Sequence, residues 1–570
     1  MCGIAAVLAC GFIPRDAVAG LADTTAAPAD KASETATATA KDTAGKSSEN
    51  QKPQRKQKHT ANAEVSSTAH AEESHSKSRL SNKPVPLRKE HTDLPERNPP
   101  IVEWNLPFLG TGNIIQGFKS PTGAVWQPAF WVFGGFQTSA GVFNDGINPT
   151  RQWVSARADI NGNLQLTPTE RIVIGFTPLS QGTSLGTGLL HVDGQGTNFV
   201  NALNLNIQTL FFEGDTRQLF PSIDSDDTKG LDFGFAIGKQ WIFFQDGVMI
   251  NDNIQALGIT KDTIQIPAIG TQDMRITGLF GWADIRRNDM LPDPSAYLLG
   301  IFTETDFRKS TVDVDFSFVP SNTSTVTTGA CVSTRVNGRD VCVVGASDPF
   351  GIQRGGSGAF FGASATQRFG ALNTTFRVNT SSALDGTGTA VDNGALFMAE
   401  FSRTVEGSTN LVYANFFATA GNYTSAARSG QVGGPLARIG ILFEPLAASL
   451  AGSPIPGDAN HAFGFALGYQ MFFGIRNQLT LEIAGKTGKE FIGAPSLMPL
   501  VDPSVFLPIG LQNLVLTLPN VLANESVVAL GGQYVFAVTS RTSINVNAFV
   551  LDQFFANVGY GLAVGTTTRW

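Results

Sequence analysis

Val154-Ser155-Ala156-Arg157-Ala158-Asp159-Ile160-Asn161-Gly162-Asn163-Leu164-Gln165-Leu166 alternates without a break. Val154, Ala156, Ala158, Ile160, Gly162, Leu164 and Leu166 share one face, and Ser155, Arg157, Asp159, Asn161, Asn163 and Gln165 the other. Successive side chains of a strand point to opposite faces, so the stretch reads as a strand between an apolar and a polar medium. It is also long. Soluble strands usually run about 5 to 6 residues, whereas a tilted strand crossing a bilayer needs about 9 to 11.

The pattern recurs far along the chain. Val312, Val314, Phe316 and Phe318 oppose Asp313, Asp315 and Ser317. Leu372, Thr374, Phe376 and Val378 alternate with Asn373, Thr375, Arg377 and Asn379, and Leu479, Leu481 and Ile483 with Thr480, Glu482 and Ala484. Near the end, Ile544, Val546, Ala548 and Val550 alternate with Asn545, Asn547 and Phe549. Charges keep to one face, as expected where a cation facing lipid at the bilayer midplane costs about 2 to 4 kcal/mol. Tight turns at Thr167-Pro168-Thr169-Glu170, Gly474-Ile475-Arg476-Asn477 and Thr539-Ser540-Arg541-Thr542 contrast with a long stretch from Lys489 to Asn524. Short turns on one side and long loops on the other are the asymmetry of a transmembrane barrel.

Composition agrees. Of 570 residues, 42% are hydrophobic and 15% charged, against about 25% charged in an ordinary soluble protein. No uncharged apolar run reaches the roughly 18 to 20 residues of a spanning helix, which excludes a helical bundle. The net charge of -7 gives no reason to expect nucleic-acid binding.

Cys2–Ile13 is a short apolar stretch followed by Ala17-Val18-Ala19, a small-x-small cleavage pattern, so residues 1–20 read as a signal peptide lacking its basic n-region. Residues 21–100 are rich in Ala, Thr, Ser, Lys and Glu and poor in apolar bulk. Such a linker buries too little to offset ordering entropy and is expected to be disordered. Its basic residues admit contact with an anionic cell wall. Residues 101–570 are left for the barrel.

The C-terminal segment Tyr560, Leu562, Val564 and Trp570, alternating apolar positions before an aromatic last residue, resembles the terminal-strand signal of bacterial outer-membrane β-barrels. That resemblance implies an all-β, antiparallel transmembrane barrel of the porin-like kind, delivered by the barrel-assembly machinery to outer-membrane lipid. The turn Leu166-Thr167-Pro168-Thr169-Glu170-Arg171-Ile172-Val173 is similar to one in large barrels of the Planctomycetes. Strand candidates between Pro128 and Trp570 number about seventeen to nineteen, and the reading settles on about 16, within 14 to 18, because single-chain bacterial barrels are even-numbered. Alternating sides back from Trp570 puts Gly421–Leu436 on the C-terminal side, where it is too long for a turn.

A barrel of this size leaves an aqueous lumen unless something fills it. The expected function is passive diffusion of small hydrophilic solutes, with Arg157, Asp159, Arg275, Asp313, Asp315, Arg377, Glu482, Asn545 and Asn547 lining the pore. The alternatives are a barrel whose inward groups only satisfy one another, a structural or adhesive barrel presenting loops, and a ligand-specific transporter using inward aromatics such as Phe549. A homotrimer is admitted, as among porins. Cys331 and Cys342 flank an Asn337-Gly338 turn and are expected to form a disulfide. Asp224–Gly230 departs from a calcium loop at Lys229, Ser357 lacks the G-x-S-x-G frame, and His191 and His461 are the two histidines available to a base. No cofactor, metal site or enzymatic activity is expected.

Overall fold

The computed structural model describes residues 99–109, 116–146, 150–180, 187–192, 197–198, 201–224, 228, 230–326, 331–336, 339–344, 352–446, 453–489, 524–553 and 557–570. The expected signal peptide and nearly all of the linker lie outside them.

Eighteen antiparallel strands close into a barrel: β1 (Ala129–Asn144), β2 (Arg151–Gln165), β3 (Arg171–Phe176), β4 (Ile207–Asp215), β5 (Gly234–Phe244), β6 (Ile250–Lys261), β7 (Thr271–Ala283), β8 (Leu298–Phe307), β9 (Ser310–Val319), β10 (Gly358–Phe369), β11 (Leu372–Ala383), β12 (Gly394–Thr404), β13 (Leu411–Tyr423), β14 (Phe463–Phe473), β15 (Asn477–Lys489), β16 (Asn524–Ala537), β17 (Thr542–Gln553) and β18 (Gly559–Arg569). The last strand pairs with the first from Tyr560↔Asn144 to Arg569↔Gly135, so the ladder has no free edge along the wall. The count is the upper end of the expected range, two above its central figure. It also removes the parity conflict: Gly421–Leu436 lies on the side opposite the C-terminus, not with it.

The expected faces hold. Ile160 is exposed on the outer face, as are Phe316, Phe376, Leu481, Ile483, Val550, Tyr560, Leu562 and Val564, while Asp315, Arg377, Glu482 and Asn545 are buried on the inner face. This continuous outer band of large apolar groups is the surface of a membrane-spanning wall rather than one turned to water. Among the described residues no helix is long and apolar enough to cross a membrane.

The rim carrying the C-terminus, the near rim, has the short turns. Leu166 N–H donates to Glu170 O at 2.8 Å between β2 and β3, and Thr539 N–H to Thr542 O at 3.1 Å between β16 and β17. Its exceptions are residues 216–233, which carry a helical turn at Thr216–Leu219 capped by Asp215, and residues 262–270, which carry a 3-10 turn at Pro267–Ile269. Asp224, in the stretch compared with a calcium loop, accepts from the Thr228 N–H at 3.0 Å; Ser225, Asp226, Asp227 and Lys229 lie outside the described residues.

The segment before β1 clasps the seam. Below Trp570 the β1 edge would be open, and the short strand Val102–Trp104 fills it, Val102 opposite Val132 and Trp104 opposite Phe130. Trp131 Nε1 donates to Leu106 O at 2.7 Å, and the Phe108 ring meets those of Trp131 and Phe133.

Candidate functional site: the lumen and the inward-folded far rim

Two far-rim segments fold into the barrel. Residues 245–249 dip inward between β5 and β6, and residues 424–446 and 453–462 do so between β13 and β14. They are joined: Ile250 and Asn251 pair in parallel with Ala427 and Arg428. The fully buried Arg428 donates to Gly433 O, Gly434 O and the Val248 and Gly247 carbonyls, and Tyr423 Oη and Ser425 Oγ also donate to Val248 O.

The inner wall changes character along the barrel axis. On β17 Asn545 and Asn547, toward the near rim, are followed on the same face by buried Phe549 and Leu551. On β12 Glu400 gives way to Leu396 and Met398, and on β13 Asn415 to Phe417. The apolar half packs against Leu436, Ile439, Leu442, Phe443 and Leu446 of the inward segment, forming a hydrophobic core inside the barrel. Each large side chain buried there contributes about 1.5 to 3 kcal/mol.

Glu482 pins the middle of this segment. Its carboxylate accepts the backbone N–H groups of Ile441 at 2.9 Å and Leu442 at 3.0 Å, and the Tyr413 hydroxyl. The approach needs glycines. A Cβ on Gly440 would overlap the Glu482 carboxylate, and one on Gly468 would overlap the Tyr413 ring that crosses it. Lys486 holds the returning limb through Pro456 O at 3.0 Å and Asp458 at 2.5 Å.

A charge cluster sits where residues 245–249 meet the wall. Arg377 bonds Asp246 and lies 3.6 Å from Glu400. The Arg377 guanidinium holds the Asp246 carboxyl below its ordinary range. Arg438 of the inward segment stacks over Phe243 at 4.9 Å. Asp315 lies beneath Gln245, accepting its Nε2 at 2.9 Å and the Thr303 N–H at 3.0 Å, while Asp313 accepts from Ser364 at 2.7 Å.

The expected lining residues therefore all face inward but separate by role. Glu482, Arg377 and Asp315 bind the inward segments. Arg157 and Asp159 pair with each other at 3.3 Å, partly exposed beside the polar ends of β17 and β1, and Arg275 pairs with Glu304, whose side chain is 44% exposed. Asp246, Glu400, Glu304, Tyr413, Arg428 and Arg438 complete the site and were not singled out from sequence. Glu304 sits directly opposite Arg275 on the neighbouring strand; the others meet distant segments, and their signal was the overlong stretch after Gly421.

The far rim is further braced by residues 284–297. Arg354 donates to Asp289 at 2.6 Å, and the fully buried Arg287 to Asp293 at 3.3 Å and Gly356 O at 3.1 Å. Burial lowers the Arg287 pKa against the opposing pull of Asp293 and Asp289. Burial works against the Asp293 carboxylate too, but hydrogen bonds from Ser321 and Ser295 keep its pKa below the ordinary value. His461 Nδ1 hydrogen-bonds Asn460 at 2.8 Å, Ser357 Oγ donates to Ser321 O, and the His191 side chain lies outside the described residues. Cys331 and Cys342 fall on a hairpin that sets Cys331 opposite Val344 and Cys342 opposite Ser333.

A closed transmembrane β-barrel, polar inside toward the near rim and filled by its own chain toward the far rim, is the class these features define. No family model matches the chain, and no curated protein matches it. Among solved structures it is similar to a BenF-like porin from Pseudomonas fluorescens Pf-5, at 10% identity and TM-score 0.46 over 77% of this chain and 98% of that one. It is similar to Pseudomonas aeruginosa OpdK with vanillate, at 9% identity and TM-score 0.44 over 77% and 98%. The carbohydrate-binding β-barrel Wzi, an Escherichia coli outer-membrane protein involved in group 1 capsule assembly, follows at 7% identity and TM-score 0.42 over 77% and 84%.

Proposed function

We propose that the chain is a porin-like channel of the bacterial outer membrane, passing small hydrophilic solutes by passive diffusion along the polar inner wall, with residues 424–446 and 453–462 narrowing the far half. The observation that carries this reading is charge open to water inside the barrel, at the tip of one inward segment and on the wall beneath. The Asp246 side chain is 57% exposed, and Arg157 and Asp159 are 23% and 21% exposed. Mixed signs on such a wall set field and width, and so filter by size and charge. Asp313 and Asp315 are included as field-setting groups, and the passage involves no covalent step. The far-rim hairpin is proposed to carry a Cys331–Cys342 disulfide.

The test is conductance of the folded chain in a planar bilayer, with ion preference read under a salt gradient. Discrete reproducible openings are expected. Silence from demonstrably inserted barrels favours the second reading, a structural barrel presenting its far-rim loops, which the hydrophobic core inside the lumen and the Arg287 and Arg354 braces support.

A further inference from the structure

A groove of about 380 Å³ indents the outer face across β6, β7, β8 and β9. Leu257, Ile259, Phe280, Ile301 and Phe316 line it around Gly278. Gly278 makes the hollow: a Cβ there would meet just one atom within van der Waals range, Ile259 O at 4.0 Å. The groove lies within the outer apolar band.

Its far-rim end is polar. One ladder step beyond the Ile237↔Leu257 pair, Lys239 faces Gln255, so the side chains sit about 7 Å further along the same outer face. Lys239 Nζ lies 3.1 Å from Asp284 Oδ2, Gln255 Nε2 donates to the same oxygen at 3.3 Å, and Trp282 Nε1 donates to Gln255 at 3.2 Å. Phe280 stacks on Tyr297 at 6.3 Å and tilts against Trp282 at 5.9 Å. Trp and Tyr at this height mark the boundary between hydrocarbon and headgroups. Lys239 is a charge placed on the outer face, and it stands at that boundary.

We infer that the groove seats one acyl chain of a phospholipid with an aminoalkyl phosphate headgroup, its phosphate at Lys239 and its ammonium at Asp284. Lys239 keeps ammonium hydrogens beyond the one directed at Asp284, and Asp284 keeps its Oδ1 oxygen, so the pair offers a donor and an acceptor side by side. An anionic headgroup without the ammonium would meet the Asp284 charge, and a cationic one the Lys239 charge. A zwitterion matches both. The apolar hollow takes the chain by van der Waals packing, since the surrounding hydrocarbon is as apolar as the groove and the headgroup contacts fix the position.

The full chain is folded in detergent, exposed to vesicles of phosphatidylethanolamine or phosphatidylglycerol, and weighed by native mass spectrometry. One retained phosphatidylethanolamine per barrel is expected, held about tenfold better than phosphatidylglycerol. Gly278→Phe, which points outward and fills the hollow, should lower retention of either lipid about tenfold while leaving heat-modifiability unchanged. Lys239→Gln with Asp284→Asn should abolish the headgroup preference and keep residual binding. Equal retention by wild type and Gly278→Phe, no headgroup preference in the wild type, or a dimer mass in place of the lipid adduct would each overturn the inference.

Discussion

Replacing Glu482 by Ala removes the acceptor of three donors at once: the Ile441 and Leu442 amides and the Tyr413 hydroxyl. Hydrogen bonds to a charged group contribute about 1.5 to 3 kcal/mol each, and an orphaned buried donor costs about 1 to 3 kcal/mol. Glu482 is 1% exposed, so the loss is felt, although water entering the vacated volume restores part of it. About 1 kcal/mol per donor survives that rescue, giving about 3 kcal/mol in favour of detachment of residues 439–443. Every 1.4 kcal/mol is tenfold, so the detached population should rise about 100-fold. Hydrogen exchange at the Ile441 and Leu442 amides reads this directly, as a comparable fall in protection, and single-channel records should show larger and more frequent openings. Gly440→Ala provides an independent route with the carboxylate intact, because the new methyl occupies its place. Unchanged protection in both variants would refute the view that this contact pins the segment.

Asp313→Asn with Asp315→Asn removes two inward carboxylates and should shift ion preference toward anions, measured as reversal potential under a salt gradient; an unchanged potential counts against the selective pore. Asp246, held low by Arg377, stabilises the inward position of residues 245–249 fully above the ordinary aspartate value of 3.8 and loses that contribution only as pH falls through its lower folded value. Conductance should therefore keep its neutral-pH pattern down to about pH 4 and change below it, and Asp246→Asn should show the acid pattern at neutral pH. Trp131→Ala loses the hydrogen bond to Leu106 and the Phe108 contact, and at this half-buried rim position should cost about 2 kcal/mol, seen as a lower heat-modifiability midpoint on gels. Peptide mapping after alkylation with and without reductant checks the Cys331–Cys342 disulfide, with neither of these two thiols labelled before reduction.

The wall was legible because a strand between lipid and lumen writes its two environments into alternate residues. Val154–Leu166 fixed both faces of β2, and Tyr560, Leu562 and Val564 gave the outer face of the closing strand. Strand number was less so, since the place of β3 in the sheet is shared. Its six residues are continued against β2 by Thr187–Val192 after an interruption. What fills the barrel was hardly legible at all. Alternation says that Asp315 and Glu482 face inward, but their partners are Gln245, 70 residues earlier, and the backbone amides of Ile441 and Leu442, which have no side-chain signature.

Phe549 shows why the inner face was harder to read than the outer. Lipid imposes one requirement along the whole height of the wall, whereas the lumen imposes two. Asn545 and Asn547 face water near one rim, and Phe549 and Leu551, on the same side of the same strand, face residues of the inward segment. A polar-to-apolar switch within one face therefore records where a plug begins. The same switch on β12, from Glu400 to Met398 and Leu396, and on β13, from Asn415 to Phe417, places that boundary at mid-barrel around the wall. Arg377, Glu400 and Asp246 lie at this boundary. An ion cluster there faces water from below while apolar packing shields it from above, so it can hold the plug without burying unpaired charge. Displacing the plug would expose Phe417, Phe549 and Leu551 to lumen water, at about 25 cal/mol for each Å² uncovered. The hydrophobic core thus resists opening as a whole, and the conductance expected of the wild type is that of a narrowed, persistent pore rather than one that empties its far half.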